Sequence, residues 1–192
     1  MGKSLAIWQH EPLSTCSLKK VKAKKNYELS KSPIIPANHG ILGRTRHDGE
    51  DAGWGTNCTV LIRDSQHFHL AHVGDSRAYL FRDGQLTQLT LDHTWINEQL
   101  RAGYISEEEV AVSRWKSVIT RSVGFGEQLQ VDMQIVPFST GDVFLLCSDG
   151  LSNYFTLDEL QHLFLYNFYA NLPQILLETA LARGGADNIT LV

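Results

Sequence analysis

Three aspartates stand beside glycine or asparagine at the margins of apolar runs: Asp75 in VGDSRAY, Asp149 in CSDGL and Asp187 in GGADNIT. Carboxylates placed this way can do two kinds of work. Asp-Gly and Asp-Asn pairs make tight turns, because the side chain accepts a hydrogen bond from nearby backbone. Carboxylates gathered at one end of a sheet can instead hold a hard divalent cation such as Mg²⁺ or Mn²⁺, which prefers oxygen donors. Without the cation, two such groups in contact repel, and one of them takes up a proton. Singly, each of the three reads as a turn; together, with strands leading to them, they read as a set.

The elements that must position them are legible in the pattern. VFLLC, at 143–147, is an unbroken apolar run that ends at Ser148-Asp149-Gly150, as expected of a buried strand that presents its end to a site. NITLV, at 188–192, makes Asp187 the residue just ahead of a final strand. TNCTVLI and HFHLAHV predict two strands, the second half-buried and leading through Gly74 to Asp75. Asp83-Gly84 predicts a two-residue hairpin between RAYLFR and QLTQLT, so 56–90 is expected to be an antiparallel meander. LQVDMQIVPF predicts a strand with Leu129, Val131, Met133 and Ile135 on one face. A helix from Trp95 stops at Gly103, and Ser106 with Glu109 and Thr156 with Glu159 have capping-box spacing. LPQILLETALARGG predicts a last helix closed by glycine. Strands, helices, strands, helices and a strand make the class α+β, with antiparallel sheets and helices outside them.

Composition bounds the function classes. The chain has 192 residues, 43% hydrophobic and 20% charged, enough for one globular domain. No apolar run reaches the ~20 residues of a membrane span, and the N-terminus has no secretory apolar region, so a cytoplasmic protein without membrane contact is expected. Cys16, Cys58 and Cys147 show no CxxC spacing, which argues against a disulfide framework or a zinc site. Residues 1–47 hold nine Lys and Arg against two acids, whereas 48–192 hold eight against nineteen. Residues 16–40 are basic, contain two prolines and show no sustained period, so residues 1–50 read as a low-order segment apart from a domain at 55–192. The basic cluster has one aromatic neighbour, Tyr27, and no nucleic-acid module follows it, so no nucleic acid is expected as a partner. Alternation puts His67 and His69 on one strand face and His72 on the other, which separates them as metal ligands.

Four blocks, HLAHVGDSRAYLFRDGQLTQLTLDHTWINEQLRAGYISEEE, VITRSVG, PFSTGDVFLLCSDGLSNYFTLDEL and GGADNITLV, resemble in order and spacing the bacterial PPM (PP2C-like) metal-dependent protein phosphatases. The resemblance runs over 55–192. It implies a β-sandwich of two antiparallel sheets flanked by helices, with Mn²⁺ or Mg²⁺ activating a water that attacks phosphoserine or phosphothreonine. It implies Asp149 and Asp187 as ligands of one catalytic metal, Asp75 at a further metal position, and a mobile flap at about 93–121. Phosphorylated proteins, and a Ser/Thr kinase with its substrates, are the implied partners. The family's Asp-Gly-x-Gly-Gly-His block, which carries the bridging aspartate and the acid histidine, does not occur in residues 1–55, nor does its phosphate-binding arginine. Asp48-Gly49 lacks the block's continuation, and His39, Arg44, His47 and Asp48 take none of its roles. The expectation is a truncated or degenerate phosphatase domain of low activity, with unpaired edges on its meander. The alternatives are an inactive pseudophosphatase that binds a phosphoprotein or regulates a kinase partner, or a shifted reading frame over the first fifty residues.

Overall fold

β-branched and aromatic residues favour the extended backbone of strands. In the computed structural model, which describes residues 4–9, 17–20, 34–47, 55–113, 115 and 118–192, they build two units. The first comprises Met1–Asp75 with Asp92–Phe138, and the second Ser76–Leu91 with Ser139–Val192.

In the first unit, β1 (Ser4–Gln9), β2 (Ser17–Lys20), β3 (Cys58–Arg63), β4 (His67–Val73) and β7 (Asp132–Pro137) form an antiparallel sheet of order β2-β1-β3-β4-β7. The register sets Cys58 opposite Val73 and Val60 opposite Ala71, with Met133 beyond Ala71, so this stretch of one face is apolar. α1 (Ile34–His47) contributes Ile34, Ala37 and Ile41 to the same core. That spacing is one stripe of a helix. Residues 34–47 therefore do not belong to a loose arm, as composition suggested. The stripe is narrow, and Pro36, Gly40 and Gly43 disguise it; Pro36 lies in the first turn, where proline is tolerated. β1 runs beside β3, from Leu5 opposite Ile62 to Gln9 opposite Cys58, so the expected open edge of the meander is paired.

Two further expectations needed correction. Residues 69–73 of β4 are all buried, not alternately so, because both faces of this central strand are covered. On β7, Ile135 is 47% exposed, while Val136, on the opposite face, is 6% exposed. Alternation fixes which face a residue takes; it does not fix whether that part of an edge strand is covered. α2 (Trp95–Arg101) is capped by Thr94, which accepts from Asn97 N–H, and α3 (Glu107–Val112) carries the predicted capping box at Ser106 and Glu109.

In the second unit, β5 (Arg77–Arg82), β6 (Gln85–Gln88) and β8 (Val143–Cys147) form an antiparallel sheet of order β6-β5-β8. Asp83-Gly84 makes the predicted hairpin, with Arg82 opposite Gln85. Arg82 holds Asp142 through Nε–Oδ1 (2.7 Å) and Nη2–Oδ2 (2.8 Å), tying the end of β5 to the start of β8. The guanidinium keeps the Asp142 carboxyl below the usual range. The single turn α4 (Asp149–Ser152) follows β8, and α5 (Leu157–Tyr166) and α6 (Leu172–Ala182) complete the unit. Leu160 and Phe164 of α5 and Leu172, Leu176 and Ala180 of α6 meet Leu145 in the core. Each large side chain buried this way stabilises the fold by about 1.5–3 kcal/mol. NITLV does not form a full strand: only its end pairs with β8, through Cys147 and Leu191 and through reciprocal bonds of Leu146 with Val192 (2.9 Å each). Antiparallel sheets with attached helices make this an α+β fold. Among the described residues, no helix is long and apolar enough to cross a membrane.

Candidate metal-binding site

Buried β8 delivers Ser148 and Asp149 to its end, where Ser148 takes the N-cap position of α4. Its hydroxyl does not cap the helix. It donates to the Asn188 carbonyl (3.2 Å) and accepts from Thr190 N–H (3.1 Å), while Ser148 N–H donates to the Thr190 carbonyl (3.0 Å). Three bonds thus stitch 188–190 to the strand end. Gly150 makes the approach possible: a Cβ there would lie 2.3 Å from Asn188 O and 3.5 Å from the Asp187 carbonyl carbon. The glycine after Asp149 serves close packing.

The stitch brings the backbones of Asp149 and Asp187 together at one end of β8. Asp149 is half-buried, and its Oδ1 accepts from Gly150 N–H (2.9 Å). Asp187 is exposed, and its Oδ1 accepts from Asn188 N–H (2.7 Å). The segment that carries Asp187 is pinned from the other side. Tyr154 Oη accepts from Ala186 N–H (2.7 Å), and Arg183 pairs twice with Glu159 (2.9 and 2.7 Å). Arg183 pulls the Glu159 carboxyl down to about 2, helped by the Thr156 N–H.

Both side chains offer hard oxygen donors, which suit Mg²⁺ or Mn²⁺. Among the described residues, no group of three or more His, Cys, Asp or Glu is placed to hold a metal. Among the described residues, the oxygen donors at this strand end fit part of the shell of one cation.

Asp75 belongs to the first unit, where it is buried and its Oδ1 accepts from Asn57 Nδ2 (2.6 Å). Its turn is clamped by His93. Gly74 N–H donates to His93 Nδ1 (3.1 Å), and His93 N–H donates to the Gly74 carbonyl (2.8 Å). Nδ1 must be bare to accept, so the ring proton is on Nε2, which donates to Asp132 Oδ2 (3.1 Å). Burial lowers the His93 pKa and favours this neutral form, against the opposing pull of Asp132. Burial would raise the Asp132 carboxyl, but His93 and Arg121, whose Nη1 donates to Asp132 Oδ1 (2.9 Å), hold it below its ordinary value. Asn57, His93, Arg121 and Asp132 were not singled out in the sequence. The available signal was polar side chains at positions flanking buried strands. His69 pairs with Asp64 (2.9 Å) and His72 with Thr59 (2.9 Å), on opposite faces of β4 as alternation predicts.

Two antiparallel sheets, attached helices and an aspartate held at the end of a buried strand define an α+β protein with an acidic strand-end site. The family model described as protein phosphatase 2C matches residues 14–189, and the chain belongs to that family. The match begins at residue 14, well before residue 55, where the resemblance of the motif blocks was read to start, so residues 14–54 fall within the family match. The serine/threonine phosphatase stp of Listeria monocytogenes serotype 4b is 36% identical over 160 residues, 83% of this chain and 64% of that protein. The chain thus spans somewhat less than two thirds of that curated relative. The structure of the serine/threonine phosphatase Stp1 from Staphylococcus aureus superposes with a TM-score of 0.79 at 26% identity, over 88% of this chain and 69% of that one. The catalytic domain of the serine threonine protein phosphatase PstP, solved in complex with two manganese ions, matches with a TM-score of 0.72 at 23% identity, over 98% of this chain and 96% of that one.

Proposed function

We propose that this chain carries part of a cytoplasmic phosphoserine/phosphothreonine protein phosphatase whose metal ligands include Asp149 and Asp187, with Asp75 at a further metal position. The observation that carries the reading is the stitch that brings Asp187 to the end of β8 beside Asp149. A Mn²⁺ or Mg²⁺ ion bound there would lower the pKa of a water ligand and draw negative charge from a phosphate. Asp149 is held by a rigid strand end, which fixes a ligand more closely than a loop does. Asp187 sits on a segment pinned by Ser148, Tyr154 and Arg183, so its distance from Asp149 is set by backbone. Phosphorylated proteins, including a Ser/Thr kinase and its substrates, are the partners this chemistry serves.

The chain as it stands is expected to turn over slowly. The Asp-Gly-x-Gly-Gly-His block is absent from its sequence. Loss of a general acid alone lowers a rate by roughly 10²–10⁴. The test is Mn²⁺ titration by calorimetry, together with release of phosphate from a phosphothreonine peptide, for the chain and for Asp149→Ala. Weak Mn²⁺ binding that Asp149→Ala abolishes, with turnover near background, is the expected result. Mn²⁺ binding unchanged by Asp149→Ala would refute the ligand assignment. Robust turnover lost in Asp149→Ala would refute the slow-turnover expectation alone. Phosphopeptide binding without metal dependence would favour a non-catalytic binding module.

A further inference from the structure

His93 is 1% exposed, and each of its polar atoms has a partner. Its N–H and Nδ1 clamp Gly74, its Nε2–H meets Asp132, and its carbonyl accepts from Thr120 N–H (2.8 Å). The last of these bonds belongs to a neck. Trp95 N–H donates to the Val118 carbonyl (2.8 Å), Thr94 bridges Ile119, and Thr120 Oγ1 donates to Glu98 Oε1 (2.6 Å). The chain that leaves along α2 is thus brought back beside its starting point at 118–120. His93 joins this neck to the turn that carries Asp75.

The two ring nitrogens stand in opposite environments. Asp132, whose side chain is 43% exposed, faces Nε2 and favours a charged ring, as does Glu98 from α2. Gly74 N–H faces Nδ1 and excludes a proton there, because two donors do not bond each other. Burial and Arg121 also disfavour the charge and outweigh the carboxylates, so the ring titrates below its ordinary range. From β4, the His72 ring lies 4.9 Å away, with its Nδ1 bonded to Thr59 Oγ1 (2.9 Å). On the clamped turn, Asp75 is bonded by Asn57. A proton added at Nδ1 therefore breaks the Gly74 bond and leaves the Asp132 bond in place.

We propose that His93 is an acid-operated latch: protonation of its ring at Nδ1 releases the neck, residues 93–95 and 118–120, from the Gly74–Asp75 turn. The closed latch excludes the proton, whereas an opened one exposes an imidazole of ordinary pKa, about 6.5. Closure is therefore complete above that pH. Below it the opening constant rises about tenfold per pH unit, until the closed form reaches its own, lower titration. The test is amide exchange by NMR between pH 7 and pH 5, expressed as protection relative to intrinsic rates, for the full chain and for His93→Asn. Asparagine Oδ1 stands where Nδ1 does and accepts from Gly74 N–H, but it does not titrate. In the wild type, protection at Gly74, Trp95 and Thr120 should fall about tenfold per pH unit below about 6.5, with the amides of β5 unchanged. In His93→Asn it should stay level. Level protection in the wild type would overturn the inference. So would a slope retained by His93→Asn, which would place the titration on another group. The wild-type ring supplies a check that needs no variant. Long-range ¹H–¹⁵N correlation should show the neutral Nε2–H tautomer at pH 7, and an Nδ1–H tautomer or a charged ring at that pH would also overturn the latch.

Discussion

Gly150→Ala is the most direct probe of how the strand-end site is built. The new Cβ would lie 2.3 Å from Asn188 O and 3.0 Å from Asn188 C, and both atoms are backbone, so no side-chain rotation relieves the contact. Residues 187–190 must withdraw, and that breaks the three bonds made by Ser148: N–H to Thr190 O, Oγ to Asn188 O, and Thr190 N–H to Oγ. At about 1 kcal/mol each the loss is about 3 kcal/mol. Alanine in a helical turn regains up to about 1 kcal/mol over glycine, so the net destabilisation is about 2 kcal/mol. For a chain of this length that lowers the melting temperature by about 4–8 °C. Thermal melting by circular dichroism measures the shift, and amide exchange at Thr190 reports whether the stitch has opened. Gly126→Ala is the control, because no heavy atom lies within 4 Å of its added Cβ. If Gly150→Ala melts with the wild type and leaves Thr190 protected, the close approach does not hold the site together and the reasoning fails.

Two further outcomes follow from buried polar groups. Asn38 accepts from Gly124 N–H (2.7 Å) and donates to the Gly126 carbonyl (2.8 Å), so Asn38→Ala strands a buried donor and should destabilise the chain by about 1–3 kcal/mol in a denaturant titration. Asp64 accepts from Gln66 N–H and His67 N–H (2.7 Å each) and bonds His69, and these contacts hold its carboxyl well below the unfolded value of about 3.9. A lowered folded-state pKa means the stabilisation is complete above about pH 5 and is lost as pH falls through and below about 4. Asp64→Asn should therefore flatten the fall in denaturation midpoint between neutral and acid pH, and an undiminished fall would show that other carboxylates carry it.

Much of the second unit was legible because its signals are local. The Asp83-Gly84 hairpin and the Thr156–Glu159 capping box each need only a few adjacent residues, and each formed as the pattern predicts. The core stripe of α1 was not legible. Ile34, Ala37 and Ile41 are three apolar positions in a helix that also holds proline and glycines, and they matter only because the β3–β4 face lies beneath them. The alternation of β7 failed at Ile135 for the same reason: pattern assigns a face, and long-range packing decides whether it is covered. Asp149 and Asp187 could be picked out by residue type and position at strand margins. Gly150 could be read only as a turn former, because the chain that presses on it arrives from residues 187–188.

Some of the polar residues that went unread share one physical role. Where two backbones come close enough for a site, glycine removes the side chain that would separate them. Any peptide groups left inside must then be paired. Gly74 sits so close to Asn57 that an added Cβ would lie 2.2 Å from its Oδ1, and His93 satisfies both its N–H and its carbonyl. Gly124 and Gly126 are satisfied by Asn38 from another element. Gly150 lies against Asn188, and Ser148 bonds the carbonyl it faces. Only Gly150 makes a backbone approach, Gly74 makes room for the Asn57 side chain, and at Gly124 and Gly126 the shared feature is a polar side chain that completes the hydrogen bonds of the glycine backbone. Two of these three pairs lie next to the aspartates proposed as ligands, Asp75 and Asp149. Replacing Gly150 forces two backbones apart and replacing Gly74 displaces the Asn57 side chain, whereas removing the polar partner leaves an unpaired group inside. Both changes move the carboxylate without touching it, so the geometry of the candidate site is a property of its backbone neighbours as much as of the acids themselves.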